Sequence, residues 1–124
     1  MSNTTTELVS ELETNLEQFC GTEQYYKCDL FSNLNVTDGV QYLREKANCY
    51  WLTDIISSYS RALRNHSFQV WTLKLNKTGN GAKVECTDGN GKRLIVQRIS
   101  YTDFPLKEIK LYCSDGVILL PSEY

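Results

Sequence analysis

The spacing of apolar residues changes at Phe68, and this change constrains the fold more than any other feature of the chain. Before Phe68 the apolar residues follow the period of a helix, with Leu8, Leu12 and Leu16 as the clearest series. After it they alternate with polar residues, as in F-Q-V-W-T-L-K-L at 68–75, which is the period of a half-buried strand. Helices followed by strands are typical of an α+β domain, in which a helical layer covers an antiparallel sheet.

Three helices are predicted in the first half of the chain. They cover about residues 5–19, 39–47 and 49–63. Thr37 or Asp38 can cap the second helix, and Asn48 tolerates the left-handed conformation that would separate it from the third. The third helix is predicted to be the core helix, because one wide face carries most of its large apolar side chains. These are Trp51, Leu52, Ile55, Ile56 and Tyr59.

Strands are predicted from the alternating pattern and its turns. They cover 68–76, 82–87, 92–101, 108–113 and 117–120, with a hairpin at D-G-N-G 88–91. Residues 20–36 show no helical period and are predicted to cross the core as extended chain with one short strand. The predicted fold is therefore α+β, with three N-terminal helices packed on a C-terminal antiparallel β-meander of four to five strands. At this length we expect a single domain over 1–124, with a helical part at about 5–63 and a sheet part at about 68–120.

The charges are unevenly distributed along the chain. The net charge is −2, but residues 1–40 hold seven acidic side chains against Lys27 alone. Residues 41–124 hold twelve basic against eight acidic side chains, and the basic ones never form a run. The pattern argues against nucleic acid as a partner, and it predicts that Glu11, Glu13 and Glu17 form an acidic outer face on the first helix.

Motifs for catalysis or metal binding are absent from the sequence. The five cysteines include no C-x-x-C pair, and the single histidine, His66, is far in sequence from all of them. The sequence therefore predicts reduced, mostly packed thiols, no metal site, no cofactor and no catalytic residues. Four carboxylates flank apolar segments, and the sequence leaves open whether they meet in space: Asp38, Asp54, Asp103 and Glu123.

Tyrosine is over-represented, with eight residues in 124. Four of them do not fall clearly on a core face, namely Tyr25, Tyr26, Tyr42 and Tyr124. Tyrosine is enriched in recognition surfaces because it offers a large ring and a polar tip. The alternative is that these rings close the edges of a small core. No apolar run is long enough to span a membrane and the N-terminus lacks a signal-peptide pattern, so we expect a cytoplasmic protein without membrane contact.

Several segments resemble a family of short, uncharacterised prokaryotic proteins found in bacteria and on their mobile elements. The similar segments are F-C-G-T-E-Q-Y-Y at 19–26, T-D-G-V-Q-Y-L at 37–43, Y-W-L-T-D-I-I-S-S-Y at 50–59, F-Q-V-W at 68–71, Y-T-D-F-P-L at 101–106 and L-P-S-E-Y at 120–124. The resemblance covers nearly the whole chain and implies a stand-alone, single-domain protein. It carries over no catalytic residues, because the family has none assigned. Asn48-Cys49 departs from the small residues that the family usually has there.

The expected function is that of a non-catalytic binding protein. Its concrete form, suggested by the family context, is a phage- or plasmid-encoded inhibitor of a host defence system, similar to an anti-CRISPR protein, that binds a basic nucleic-acid-binding complex. The expected binding residues are Glu11, Glu13, Glu17, Tyr25, Tyr26, Tyr42 and Tyr124. Two alternatives stay open: a nucleotide-like small-ligand binder, and a small enzyme that uses carboxylate and tyrosine groups. A homodimer is also compatible with the sequence.

Overall fold

The computed structural model of the protein describes residues 3–30, 32–77 and 80–124. Within these ranges the chain forms three α-helices, seven strands and one 3-10 helix. The α-helices are α1 (Asn3–Leu16), α2 (Asp38–Lys46) and α3 (Tyr50–Ser58). The strands are β1 (Tyr25–Lys27), β2 (Asn35–Thr37), β3 (Phe68–Leu75), β4 (Ala82–Thr87), β5 (Arg93–Ile99), β6 (Glu108–Ser114) and β7 (Val117–Leu119), and the 3-10 helix is Pro121–Glu123.

All seven strands belong to one sheet, in the order β1-β2-β7-β6-β3-β4-β5. Its pairs are antiparallel except for β2 and β7, which run parallel. The structure confirms the α+β class and has five strands after Phe68, as predicted, but these do not form a simple meander, because β6 pairs with β3 and not with β5, and the whole sheet has seven strands. Strands β1 and β2 are three residues long, too short for alternation to be visible, and they precede α2 in the chain. The sheet therefore extends beyond the predicted 68–120 part.

The helices differ from their predicted bounds mainly at their ends. Thr37 is the N-cap of α2, since its side chain accepts a hydrogen bond from the Val40 amide, and Asn48 has the predicted left-handed backbone with φ 51°. Helix α3 ends at Ser58 rather than near residue 63. The hydroxyl of Ser58 donates to the Ile55 carbonyl at 2.6 Å, the kind of local bond by which serine competes with helix continuation.

The helices cover one face of the sheet. Trp71, Leu73 and Val84 point to this covered face and are at most 1% exposed. Leu52 and Ile56 of α3 are buried in the same core. The wide apolar face predicted for α3 is only partly buried, because Trp51, Ile55 and Tyr59 lie at the margin of the core.

The other face of the sheet has no α-helix packed on it among the described residues. We call it the open face. It consists of the strand residues that alternate with the buried ones, such as Thr72, Glu85 and Lys110, which are register neighbours on β3, β4 and β6. No described helix is both long and apolar enough to cross a membrane.

Candidate binding surfaces

The N-terminus of α2 is closed by the C-terminal end of the chain. The Glu123 carboxylate accepts hydrogen bonds from the Thr37 hydroxyl at 2.5 Å, the Gly39 amide at 3.0 Å and the Leu120 amide at 2.9 Å. A carboxylate at this position is also favoured by the positive end of the helix dipole. Glu123 therefore couples the last residues of the chain to α2.

Asp38 lies at the same helix end and is also paired inside the protein. Its carboxylate accepts hydrogen bonds from the Glu23 amide at 2.9 Å and the Tyr26 hydroxyl at 3.0 Å. The Glu23 amide is the main cause that lowers the pKa of Asp38, and the hydrogen bond to Asp38 is the main cause that raises the pKa of Tyr26. Asp38 also donates its own amide to Thr22 at 2.9 Å. We call this contact region of residues 22–26, 37–39 and 120–123 the junction.

The four carboxylates left open by the sequence do not form one site. Asp38 and Glu123 both lie at the junction, while Asp54 borders a surface depression with Asp29 and Arg61. Asp103 borders a different depression beside Trp51 and Tyr101. The two that share the junction are each occupied by donors from the fold. Their geometry fits helix capping better than proton transfer.

The cysteines are packed rather than poised for reaction. All five are free, and four of them are buried, the exception being the exposed Cys20. Burial raises the pKa of Cys28 and Cys113 to about 11 and that of Cys49 and Cys86 to about 12. Because the thiolate is the nucleophile and the metal ligand, these four thiols are poor candidates for either role. In the described ranges, no three His, Cys, Asp or Glu side chains are placed to hold a metal ion.

Arg44 is a buried cation that was not predicted from the sequence. It is 3% exposed and donates hydrogen bonds to the carbonyls of Cys28 at 2.9 Å and Lys27 at 3.4 Å, and its guanidinium lies 4.6 Å from the centre of the Tyr50 ring. These contacts tie α2 to β1 and α3. The available signal was its position four residues after Val40, on the buried side of the helix.

The predicted acidic face of α1 is present on the surface. Glu11, Glu13 and Glu17 are all exposed, and Glu11 lies 3.7 Å from Lys46. Glu13 and Glu17 border an open groove of about 840 Å³ between α1 and residues 105–109. We call this groove the acidic groove.

The four predicted tyrosines divide into two pairs. Tyr26 bonds Asp38 at the junction, and Tyr42 packs on Phe19 at 5.5 Å while its hydroxyl accepts from Asn15 at 2.8 Å. Both are half-buried and serve the fold. Tyr25 and Tyr124 are 61% and 73% exposed, and they line one depression of about 310 Å³ at the edge of the open face. The predicted recognition residues thus lie on two separate surfaces.

Tyr124 belongs to a cluster of three rings on the open face. The centre of its ring lies 5.4 Å from those of Phe68 and Tyr112, which are 5.2 Å from each other. The turn at 88–91 closes over Phe68. Gly89 has φ 87°, and a Cβ there would lie 3.0 Å from the Phe68 ring. Only glycine fits this close approach without strain.

A row of cations crosses the same face at its other end. Lys74 on β3 is the register partner of Lys83 on β4, which is in turn the partner of Arg98 on β5. Like charges directly opposite on neighbouring strands destabilise a sheet. Glu108 on β6 is the register partner of Lys74 on its other side, but no carboxylate in the described ranges lies within the 4.0 Å ion-pair distance of these three side chains. We call them the cation row.

Comparison with known proteins places the chain in a family without placing it near a protein of known activity. No curated protein and no solved structure matches it. One family matches residues 10–124, which is nearly the whole chain, and it is described as a family of unknown function. From this extent of similarity, the chain belongs to the family of unknown function DUF6876.

Proposed function

We propose that this protein is a non-catalytic binding protein of a bacterium or its mobile elements, and that it inhibits a host defence system by protein–protein interaction, in the manner of an anti-CRISPR protein. Its partner is a basic, nucleic-acid-binding complex in the cytoplasm. The observation that carries the proposal is the acidic groove beside α1.

The acidic groove combines an apolar floor with acidic rims. Val9 and Leu16 contribute the floor on the α1 side, and Leu106 and Ile109 contribute it on the other. The acidic Glu13 and Glu17 form the rim on the α1 side, and Lys107 and Glu108 lie on the other side, Glu108 at the edge that the groove shares with the open face. A groove of this kind suits an amphipathic segment whose polar side is basic, because apolar contacts hold the segment while the charges steer its approach.

The contacts of the candidate catalytic groups favour binding over catalysis. A general acid or base must be free to exchange a proton with a substrate. Asp38 and Glu123 instead hold fixed hydrogen bonds to the backbone of the junction. The four buried thiols, with pKa values of about 11 to 12, carry little thiolate at neutral pH.

The proposal is tested by phage plating on bacterial strains whose CRISPR systems carry a spacer against the phage. We expect the protein, expressed in these strains, to restore plating in at least one of them. The double substitution Glu13→Lys and Glu17→Lys should abolish this effect, since it reverses the charge of the acidic groove. Both side chains are exposed, so the fold should be unaffected.

Glu45→Lys is the matched control, because Glu45 is exposed on α2 and does not border the groove. This variant should restore plating as well as the parent does. Where plating is restored, capture of the purified defence complex by the tagged protein should weaken as the NaCl concentration rises, because salt screens exposed charges. The proposal is wrong if no strain regains plating, or if the double variant is as active as the parent.

A further inference from the structure

We propose that the open face of the sheet binds single-stranded nucleic acid. The proposal goes beyond the binding of a protein in the acidic groove and does not depend on it. It is carried by two features that share this uncovered face, the cation row and the cluster of three aromatic rings.

The cation row is costly for the isolated protein. Neighbouring strands lie about 4.8 Å apart, so the register sets Lys74, Lys83 and Arg98 side by side across three strands. Glu108 lies opposite Lys74 on β6 and offsets part of this repulsion, but no carboxylate in the described ranges is at ion-pair distance from Lys83 or Arg98. A chain of phosphates laid across β3, β4 and β5 would supply the missing negative charge.

The open face as a whole has the opposite charge to the protein. Its strands present six basic side chains, Lys27, Lys74, Lys83, Arg93, Arg98 and Lys110, against two acidic ones, Glu85 and Glu108. Glu85 is already paired with Arg93 at 2.6 Å. The chain carries a net charge of −2, so the acidic surplus lies elsewhere. A face of this sign attracts polyanions.

The aromatic cluster indicates that bases, and not only phosphates, are contacted. Tyr124 has most of its ring exposed, and Tyr25 offers a second exposed ring on the same side of the sheet. Unstacked bases of a single strand can lie on such rings, with little dependence on sequence. The bases of a duplex are held in the stack and cannot reach them. The combination therefore favours a single strand over a double helix.

The dimensions of the face suit a short stretch of single strand. From β1 to β5 the sheet spans six strand spacings, or about 29 Å. Other sheet-based single-strand binders accommodate about 4 to 16 nucleotides per domain. The ring cluster is built on β3 and β6 at one end of the face, and the cation row crosses β3, β4 and β5 at the other end, so a single strand running diagonally over the sheet would meet both.

The test is fluorescence anisotropy with fluorescein-labelled oligo-dT and oligo-U. We expect binding at low salt that weakens as salt rises, and weaker binding of a duplex of the same length. The double substitution Lys83→Ala and Arg98→Ala should lower the affinity. It should also make the slope of log K against log salt concentration shallower by about 1.4, since each lost phosphate contact to a single strand removes about 0.7 from that slope. Tyr124→Ala should lower the affinity at least about fivefold and leave the salt dependence unchanged, because it removes stacking only.

Two matched controls separate this site from general electrostatic attraction. Arg61→Ala with Arg64→Ala removes two exposed cations outside the open face, and Tyr101→Ala removes a ring that is 66% exposed but lies beyond β5. Both variants should bind the oligonucleotides as the parent does. Circular dichroism and thermal unfolding should show that every variant is folded.

Several outcomes would overturn the proposal. One is that the parent binds neither oligonucleotide at low salt. Another is that it binds the duplex as tightly as the single strand, or that the Arg61 and Arg64 control loses as much affinity as the Lys83 and Arg98 variant. A fourth is a concentration-dependent dimer that Tyr124→Ala dissociates, without any oligonucleotide binding by the parent, which would assign the face to a second copy of the chain.

Discussion

The two faces of the sheet treat their polar side chains in opposite ways. On the covered face and at the junction that closes it, nearly all polar groups are paired inside the protein: Glu123 accepts three hydrogen bonds, and Arg44 donates to carbonyls, although its buried Nε has no partner among the described residues. On the open face, Lys74, Lys83 and Arg98 lie side by side without an ion-pair partner in the described ranges.

The difference separates groups that the fold needs from groups that it leaves available. Buried polar groups are nearly always satisfied, because an unpaired one lowers stability. The cation row does not stabilise the fold by mutual attraction, so its side chains are available for contact with another molecule. The covered face should therefore govern stability, and the open face should govern the binding of nucleic acid.

The largest effect is expected from the core of the covered face. Ile56→Ala should lower the free energy of unfolding by about 2–5 kcal/mol, because it leaves a cavity at a site that is 1% exposed. Ile55→Ala, one residue away on the same helix, should have a smaller effect because Ile55 is only partly buried. Urea titration of both variants measures the difference. An equal or larger loss for Ile55→Ala would show that α3 is rotated from the orientation described.

A smaller effect is expected at the junction. Glu123→Ala removes the acceptor of three hydrogen bonds and should lower the free energy of unfolding by about 1.5–3 kcal/mol. Glu123→Gln keeps one acceptor oxygen, so its loss should be intermediate. Both are measured by denaturant titration at neutral pH. If truncation of Glu123 leaves the stability unchanged, the C-terminal residues are not part of the folded unit, and the junction does not close the covered face.

Most of the covered side could be predicted from the sequence, because its signals are local. Only residues close in the chain are needed for the period of Leu8, Leu12 and Leu16 and for the cap before α2. The Asp-Gly turn beside the open face was predictable for the same reason. The same holds for the left-handed Asn48. Residues 77–81 were predicted as a turn, and of these Thr78 and Gly79 lie outside the described residues, as does Phe31 in the segment predicted to cross the core.

The open face could not be predicted, because register brings its residues together. Lys74, Lys83 and Arg98 are separated by 9 and 15 positions and never form a run, which is why the sequence argued against nucleic acid. Their alignment follows from two antiparallel hairpins in a particular register. The parallel pairing of β2 with β7 joins residues about 80 positions apart and has no local signal either. The sequence also left open where Glu123 lies, because the chain brings it to the N-terminus of α2 over a separation of the same length.

The third prediction concerns the open face, where a substitution is expected to raise the free energy of unfolding instead of lowering it. Lys83→Glu places a carboxylate between two cations and should raise the free energy of unfolding by about 0.2–1 kcal/mol. The same variant should bind oligonucleotides more weakly. Lys107→Glu, an exposed change outside the strands, is the control and should shift stability by less than about 0.5 kcal/mol. A loss of stability in Lys83→Glu at low salt would mean that the cation row is not self-repelling.

The smallest effect is expected in the pH dependence of stability. The pKa of Asp38 lies below its ordinary value of 3.8 in the folded protein, mainly because of the hydrogen bond from the Glu23 amide. The unfolded chain therefore binds the proton at a higher pH than the folded protein does. The stabilisation from Asp38 is complete above the unfolded pKa and is lost as the pH falls through the lowered folded value.

Asp38→Asn should therefore flatten the fall in stability that begins about one pH unit above 3.8 and continues through the lowered folded pKa. The asparagine still accepts a hydrogen bond but does not titrate, so its own contribution no longer changes with pH.

Asp88, in the turn beside the open face, also has a lowered pKa, mainly through the hydrogen bond from the Asn90 amide. Asp88→Asn should therefore flatten the fall in stability over the same pH range. Urea midpoints measured from pH 6 downward compare the two, and the double variant should show the sum of both changes because the two carboxylates share no partner. If Asp38→Asn follows the parent curve throughout, Asp38 is not held by the junction in solution, and the contrast between the paired junction and the cation row fails at that residue.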